Sequence, residues 1–225
     1  MTLPDLTSLK LSLRLATVTT IILFILGIPL AHWLAATKSK LKIYVEAVTA
    51  LPLVLPPTVL GFYLLLALGS HGLIGKSWSL LSDHSLAFSF YGLVIGSVIY
   101  SLPFVIQPLQ TAFEAIGEWP QETAATLGAS PLDRFMTIKL PLAKRGLITA
   151  AVLGFTHTLG EFGVVLMIGG NIPGKTQLVS IDIYNKVELF QYHQANFLSL
   201  VLLAVSFITL VILYRFNHKG MRLKI

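Results

Sequence analysis

The chain has 225 residues, of which 55% are hydrophobic and only 12% charged, and its mean hydropathy is +0.79. A soluble domain carries about twice that charged fraction, and the apolar residues fall in blocks of roughly twenty, the length that crosses a bilayer core. The sequence therefore describes an integral membrane protein. The absence of cysteine excludes disulfides and thiol chemistry, and the net charge of +6 is spread over loops rather than gathered on a phosphate-binding face, which argues against nucleic acid.

The first predicted span covers residues 11–36, too long an apolar block for a signal-peptide core. The second covers 44–68 and contains Pro52, Pro56 and Pro57. Three prolines remove backbone donors, so this helix must kink or break, either for packing or to line a cavity. Residues 69–85 read as a polar connector. Within it, Ser70 to Ser77 has the outline of a phosphate loop, but its first glycine, Gly69, is one residue out of register and no strand precedes it. It is read as a flexible turn.

A third span is predicted over 86–109. Gly92 and Gly96 are spaced for close helix approach, and Pro103 and Pro108 distort its far end. Next comes the longest run rich in small, polar and charged residues, about 118–141. Trp119 and Pro120 lead into a short helix, Gly128 stops it, and Ser130 with Pro131 starts a second one. A helix–bend–helix outside the apolar blocks reads as a docking element. The fourth span is placed at 146–168, a second polar connector at 169–194, and a fifth span at 195–216. The expectation is thus an all-α multi-pass transmembrane helical bundle of about five spans, forming a single domain over residues 1–225.

With five spans, one side of the membrane receives Lys38, Lys40, Lys42, Arg134, Lys139, Lys144, Arg145, Arg215, Lys219, Arg222 and Lys224. The other side receives Lys10, Arg14, Lys76, Lys175 and Lys186. The richer side is cytoplasmic by the positive-inside rule. The N-terminus is then outside, the C-terminus inside, and the docking stretch in the cytoplasm. Lys10 and Arg14 run against the rule.

Glu161 lies within the fourth span, roughly 24 Å beyond Arg145 at about 1.5 Å per residue. Intramembrane charges mark a pathway or an internal pair. A structural or gating role is favoured over direct substrate contact, with His157 one turn below as the expected partner. Thr58, Ser101 and Thr156 are candidate pathway linings by depth and polarity. The six histidines are scattered, no metal-ligand spacing occurs on one helix, and no nucleophile motif is present. No catalytic residue, metal site or cofactor is expected in this chain.

Glu122, Ala124, Gly128, Ile138, Leu140 and Pro141 resemble the cytoplasmic signature of the permeases of ABC importers, with Thr123 where that family usually has alanine. The resemblance implies that this segment is a coupling helix seated in a separate ATPase subunit, which carries the ATP and magnesium. Residues 51–61, 125–129, 160–163 and 171–176 are similar to the molybdate permeases of bacterial ABC importers, over nearly the whole chain. That family implies a homodimer in the bacterial inner membrane, a dimeric cytoplasmic ATPase, and an external binding protein that delivers a tetrahedral oxyanion. Tungstate and sulfate or thiosulfate permeases share parts of the pattern. An ion-coupled secondary transporter would need coupling charges in its spans and an internal repeat, and neither is evident.

Overall fold

The computed structural model describes residues 6–80, 82 and 84–218, and every regular element among them is helical. Lys219, Arg222 and Lys224, counted above for topology, lie outside the described residues.

Helix α1 (Thr7–Ala36) is 30 residues long and apolar almost throughout. Two of its threonines fit an apolar setting because Thr17 and Thr20 donate to the carbonyls of Leu13 and Ala16 on their own helix. Helix α5 (Phe90–Ile116) runs against it without interruption, capped at its start by Ser89 Oγ, which accepts from the Gly92 amide at 3.2 Å. Pro103 and Pro108 lie inside α5 and do not end it. Leu23 and Leu34 of α1 meet Val105, Ile106, Leu109 and Phe113 of α5 in the largest apolar cluster, closed by Ala150 of α9 (Lys144–Leu159). Dispersion and burial along this seam hold the bundle together.

The second span is broken, as its prolines require. Helix α2 (Leu41–Val54) tolerates Pro52, ends at Leu55, and α3 (Pro57–Leu68) restarts with Pro57 in its first turn. The fourth span is broken too, which no proline announced. Helix α9 ends at Leu159, α10 (Gly163–Gly169) follows, and the two halves are bent by 57°.

The two restarted halves lie side by side. A Cβ on Gly163 would sit 2.7 Å from Pro57 Cβ, and one on Gly61 would sit 2.8 Å from Met167 Cβ and 3.2 Å from the Val164 backbone. A Cβ on Gly96 of α5 would sit 2.5 Å from Ile168, so this glycine serves the close approach of α10, whereas one on Gly92 would meet the Leu86 carbonyl at 2.3 Å. The expected connectors are partly helical: α4 (Leu73–Ser79) lies in the first and α11 (Val179–Glu188) in the second. Helix α11 is pinned to α1 through the Val179 amide on Ser12 Oγ at 2.8 Å and Ser8 Oγ on Asp182 at 2.7 Å.

Helix α12 (Tyr192–His218) closes the chain, with most of its large apolar residues facing outward. Among the described residues four helical segments are long and apolar enough to cross a membrane, Thr7–Ala36, Pro57–Trp78, Phe90–Ile116 and Tyr192–Phe216, and the bent pair α9–α10, taken as one span, makes a fifth. The count of about five spans holds, while the second crossing segment sits further along the chain than residues 44–68.

Candidate functional site: a docking element and two helix breaks

Helix α6 (Trp119–Thr126) opens with Pro120 in its first turn. It ends in a Schellman turn: the Gly128 amide donates to Ala125 O at 3.0 Å and the Ala129 amide to Ala124 O at 3.1 Å. Gly128 has φ +85°, a conformation that glycine adopts without the steric penalty of a Cβ. Ser130 Oγ then accepts from the Asp133 amide at 3.2 Å and caps α7 (Pro131–Arg134). A π-helical turn (Phe135–Lys139) and the short α8 (Leu140–Leu142) lead back to the bundle. Arg134 Nη1 donates to Gln121 O at 3.3 Å and ties α7 to α6.

The signature residues divide by what they touch. Leu140 packs against the main apolar cluster and fixes the element to the spans, and Ile138 is half-buried. Glu122, Gly128 and Pro141 are exposed and Ala124 is half-buried. Neither α6 nor α7 contains a buried residue, yet Trp119, Leu127 and Leu132 are 76%, 84% and 71% exposed. An apolar display on a charged element is the form of a protein-binding surface. Nearby, Lys42 Nζ lies 3.0 Å from Glu114 Oε1 and 3.7 Å from Glu46 Oε1. The hydrogen bond to Glu114 is the main cause that raises the Lys42 pKa above its ordinary value.

Glu161 sits in the break between α9 and α10 and is 4% exposed. Its Oε2 accepts from Ser97 Oγ of α5 at 2.8 Å, and its carbonyl accepts from Ser180 Oγ of α11 at 2.5 Å. Oε1 is buried with no hydrogen-bond partner. The expected pairing with His157 is therefore corrected to Ser97. Helical spacing would have put His157 one turn below, but the helix stops at Leu159 and the chain turns away. His157 instead shares a 2.9 Å hydrogen bond between Nδ1 and Ser101 Oγ and stacks on Phe104, with ring centroids 3.8 Å apart.

A cavity of about 620 Å³ opens at the two breaks, lined among others by Pro57, Thr58, Tyr100, Thr156, His157, Glu161 and Phe162. Thr58 is exposed, while the Thr156 hydroxyl donates to Val152 O at 2.6 Å. Ser101 is fully buried and outside this lining, its hydroxyl 2.9 Å from both His157 Nδ1 and Thr158 Oγ1. Depth along the helix placed it correctly, but the face it occupies turns it into the bundle. Sequence reasoning missed Ser97, Ser180, Gly61 and Gly163. Gly61 and Gly163 lay at the ends of stretches that carry the family resemblance, and Ser97 stands one residue after the glycine pair and four before Ser101. Among the described residues no group of three or more His, Asp or Glu side chains is arranged to hold a metal ion.

These features define a permease subunit of an ABC transporter, and the chain belongs to the family of binding-protein-dependent transport system inner membrane components, which matches residues 18–222. It is similar to the molybdenum transport system permease protein ModB of Azotobacter vinelandii, with 57% identity over 93% of each chain. The protein of that name in Escherichia coli K12 is 33% identical over 82% of this chain and 81% of its own length. A probable sulfate transport system permease protein of Zygnema circumcarinatum is 32% identical over 92% of this chain and 72% of its own. Among solved structures, a bacterial alginate importer has a TM-score of 0.74 at 18% identity, covering 98% of this chain and 80% of its own. The MetNI methionine transporter has 0.73 at 16%, covering 96% and 95%. At these identities the structures speak for the fold alone.

Proposed function

We propose that this chain is the membrane-spanning subunit of an ATP-driven importer for molybdate. The observation that carries the ion is the 57% identity, over nearly all of both chains, to a molybdenum transport permease. Two copies enclose the pathway, since five spans alone make a poor pore. A separate cytoplasmic ATPase dimer binds and hydrolyses ATP with magnesium, and it grips Glu122, Ala124 and Gly128 of each docking element, while Ile138, Leu140 and Pro141 join that element to the spans. An external oxyanion-binding protein supplies specificity. One transporter structure of the same fold is described with a periplasmic protein bound, which supports such a partner.

The positive-inside bias supports a cytoplasmic docking element, an external N-terminus and an internal C-terminus. Closure of the ATPase dimer draws the two docking elements together. The motion reaches the spans through the packing of Leu140 and the tie between Arg134 and Gln121. At the other end of the lever are the two breaks, where α3 and α10 pack as one unit through Gly61 and Gly163. Glu161 braces that unit to α5 and α11, a gating role rather than substrate contact. Thr58 and Thr156 line the cavity, and Thr58 offers its hydroxyl to a passing anion, while that of Thr156 is engaged by the Val152 carbonyl.

A sulfate importer is the second reading, favoured by the 32% identity to a sulfate permease. Purification of the assembled transporter with its external protein, followed by elemental analysis of the bound oxyanion, separates the two. Molybdenum at one atom per binding protein supports the proposal. Sulfur alone, with molybdate unable to compete, rejects it.

A further inference from the structure

A second cavity, of about 370 Å³, lies where α1 and α5 end, between Ala35, Ala36 and Gly117 on one side and the docking element on the other. Lys139 lines it while only 5% exposed, and no carboxylate oxygen lies within 4.0 Å of its ammonium among the described residues. Its close neighbour is the ring of Phe113, 5.6 Å from Nζ. Arg134 Nε and Gln121 Nε2 belong to the same lining and are buried with no hydrogen-bond acceptor. Burial pulls the Lys139 pKa down, and Glu118 opposes this only at longer range. A buried cation left uncompensated is strongly destabilising, as are buried donors without acceptors.

The same cavity carries the opposite need. Glu118 and Glu122 line it, both are exposed, and neither carboxylate meets a basic side chain within 4.0 Å among the described residues. Glu114, the third carboxylate, is already held by Lys42 and Gln110, each at 3.0 Å. The cavity thus sets buried donors that lack an acceptor beside exposed carboxylates with no basic partner, at the ends of two candidate spans.

We propose that this cavity binds the phosphoethanolamine headgroup of a membrane lipid. The phosphate takes the hydrogen bonds of Lys139, Arg134 and Gln121, and the primary ammonium donates to Glu118, leaving Glu122 to the ATPase. A free phosphate satisfies only the first set. A choline headgroup cannot donate to the second, because its nitrogen carries methyl groups in place of hydrogens. An anionic glycerol headgroup brings the phosphate and no ammonium. Basic pockets between spans at a membrane face are known lipid-headgroup sites, and the added carboxylate narrows the choice to a zwitterion.

The test uses the full chain in its assembled transporter, delipidated and examined by native mass spectrometry. Phosphatidylethanolamine, phosphatidylcholine and phosphatidylglycerol of identical acyl chains are added singly, each with and without millimolar inorganic phosphate. Phosphatidylethanolamine should be retained roughly tenfold over phosphatidylcholine, as one charge-assisted hydrogen bond warrants. Lys139→Met should lower retention of all three lipids, whose phosphate it binds, and leave the preference between them in place. Glu118→Gln, at an exposed position, should bring phosphatidylethanolamine down to the phosphatidylglycerol level and leave the latter unchanged. It decides the question by itself if Lys139→Met does not fold. Equal retention of phosphatidylethanolamine and phosphatidylcholine by the natural chain would overturn the proposal. So would an unchanged preference in Glu118→Gln, or displacement of the lipid by inorganic phosphate, which would mark a free-anion site.

Discussion

Ser97 Oγ donates a 2.8 Å hydrogen bond to Glu161 Oε2, so an unbroken helix, α5, holds the point at which the fourth span breaks. The bond is buried at both ends, and the other carboxylate oxygen has no partner. Ser97→Ala would leave the carboxyl group with no side-chain hydrogen bond at all. The expected cost is about 1–3 kcal/mol of stability, the desolvation penalty of an unsatisfied buried group. Thermal unfolding of the detergent-solubilised protein measures it. Glu161→Gln keeps a carbonyl oxygen for Ser97 and should be milder. An unaltered unfolding temperature in Ser97→Ala would show that the break stands without this bond.

The packing of α3 on α10 gives a second expectation. A methyl group at Gly163 would lie 2.7 Å from Pro57 Cβ, and Gly61→Ala would press on Met167 Cβ and the Val164 backbone. Each substitution should destabilise by about 1–3 kcal/mol, the usual cost of overpacking. Gly160→Ala is the control, since its added carbon would meet only Thr156 O at an ordinary 3.6 Å. Equal unfolding temperatures for all three variants would mean that the half-spans are not packed as a unit.

What the sequence disclosed follows from where each cause lies. The break at Leu55 and Pro56 is written locally in three prolines, and the bend at Gly128 in a glycine followed by Ser130 and Pro131. The break at Glu161 has no local cause of that strength. It is imposed by tertiary contacts: Ser97 and Ser180 on the glutamate, and Pro57 against Gly163. Reading Glu161 as one turn above His157 assumed a helix that ends two residues earlier. Ser101 is buried outside the cavity lining for a related reason, because depth along a helix is legible in a sequence and the face is not. Lys139 was counted as a surface cation for topology. The π-helical turn brings it under Phe113, and it is buried.

Thr58 is exposed at the start of α3 and faces the cavity at the breaks. Thr58→Val removes a hydroxyl and keeps the shape, so uptake should slow severalfold with the order of preference among oxyanions intact. Ser101→Ala acts differently from this, through the buried contacts to His157 and Thr158, and should lower stability more than it alters transport. A switch from molybdate to sulfate preference in Thr58→Val would show that this subunit, and not the binding protein, selects the ion. Competition uptake assays with both anions decide it.

Orientation has a direct check. A reporter inserted near Ser82 should read external, and one fused after Lys224 should read cytoplasmic. Both reporters on one side would rule out the topology on which the cytoplasmic docking element depends.

The central claim is that residues 118–141 couple this subunit to an ATPase, and Gly128 is its most exposed dependency. With φ +85°, any residue carrying a Cβ is strained there by on the order of 1 kcal/mol. An added Cβ would meet nothing within 4 Å, so the damage stays within the turn and its docking surface. Gly128→Asp also places a negative charge beside the C-terminus of α6, where the helix dipole disfavours it. The spans are untouched. The variant should insert at normal levels, lose most of the co-purifying ATPase and lose uptake, whereas Glu122→Lys should show a milder form of both defects. Uptake together with ATPase retention in Gly128→Asp is the deciding measurement. Loss of both at normal membrane abundance is the expected result, and normal values for both would contradict the assignment of this stretch as the coupling element.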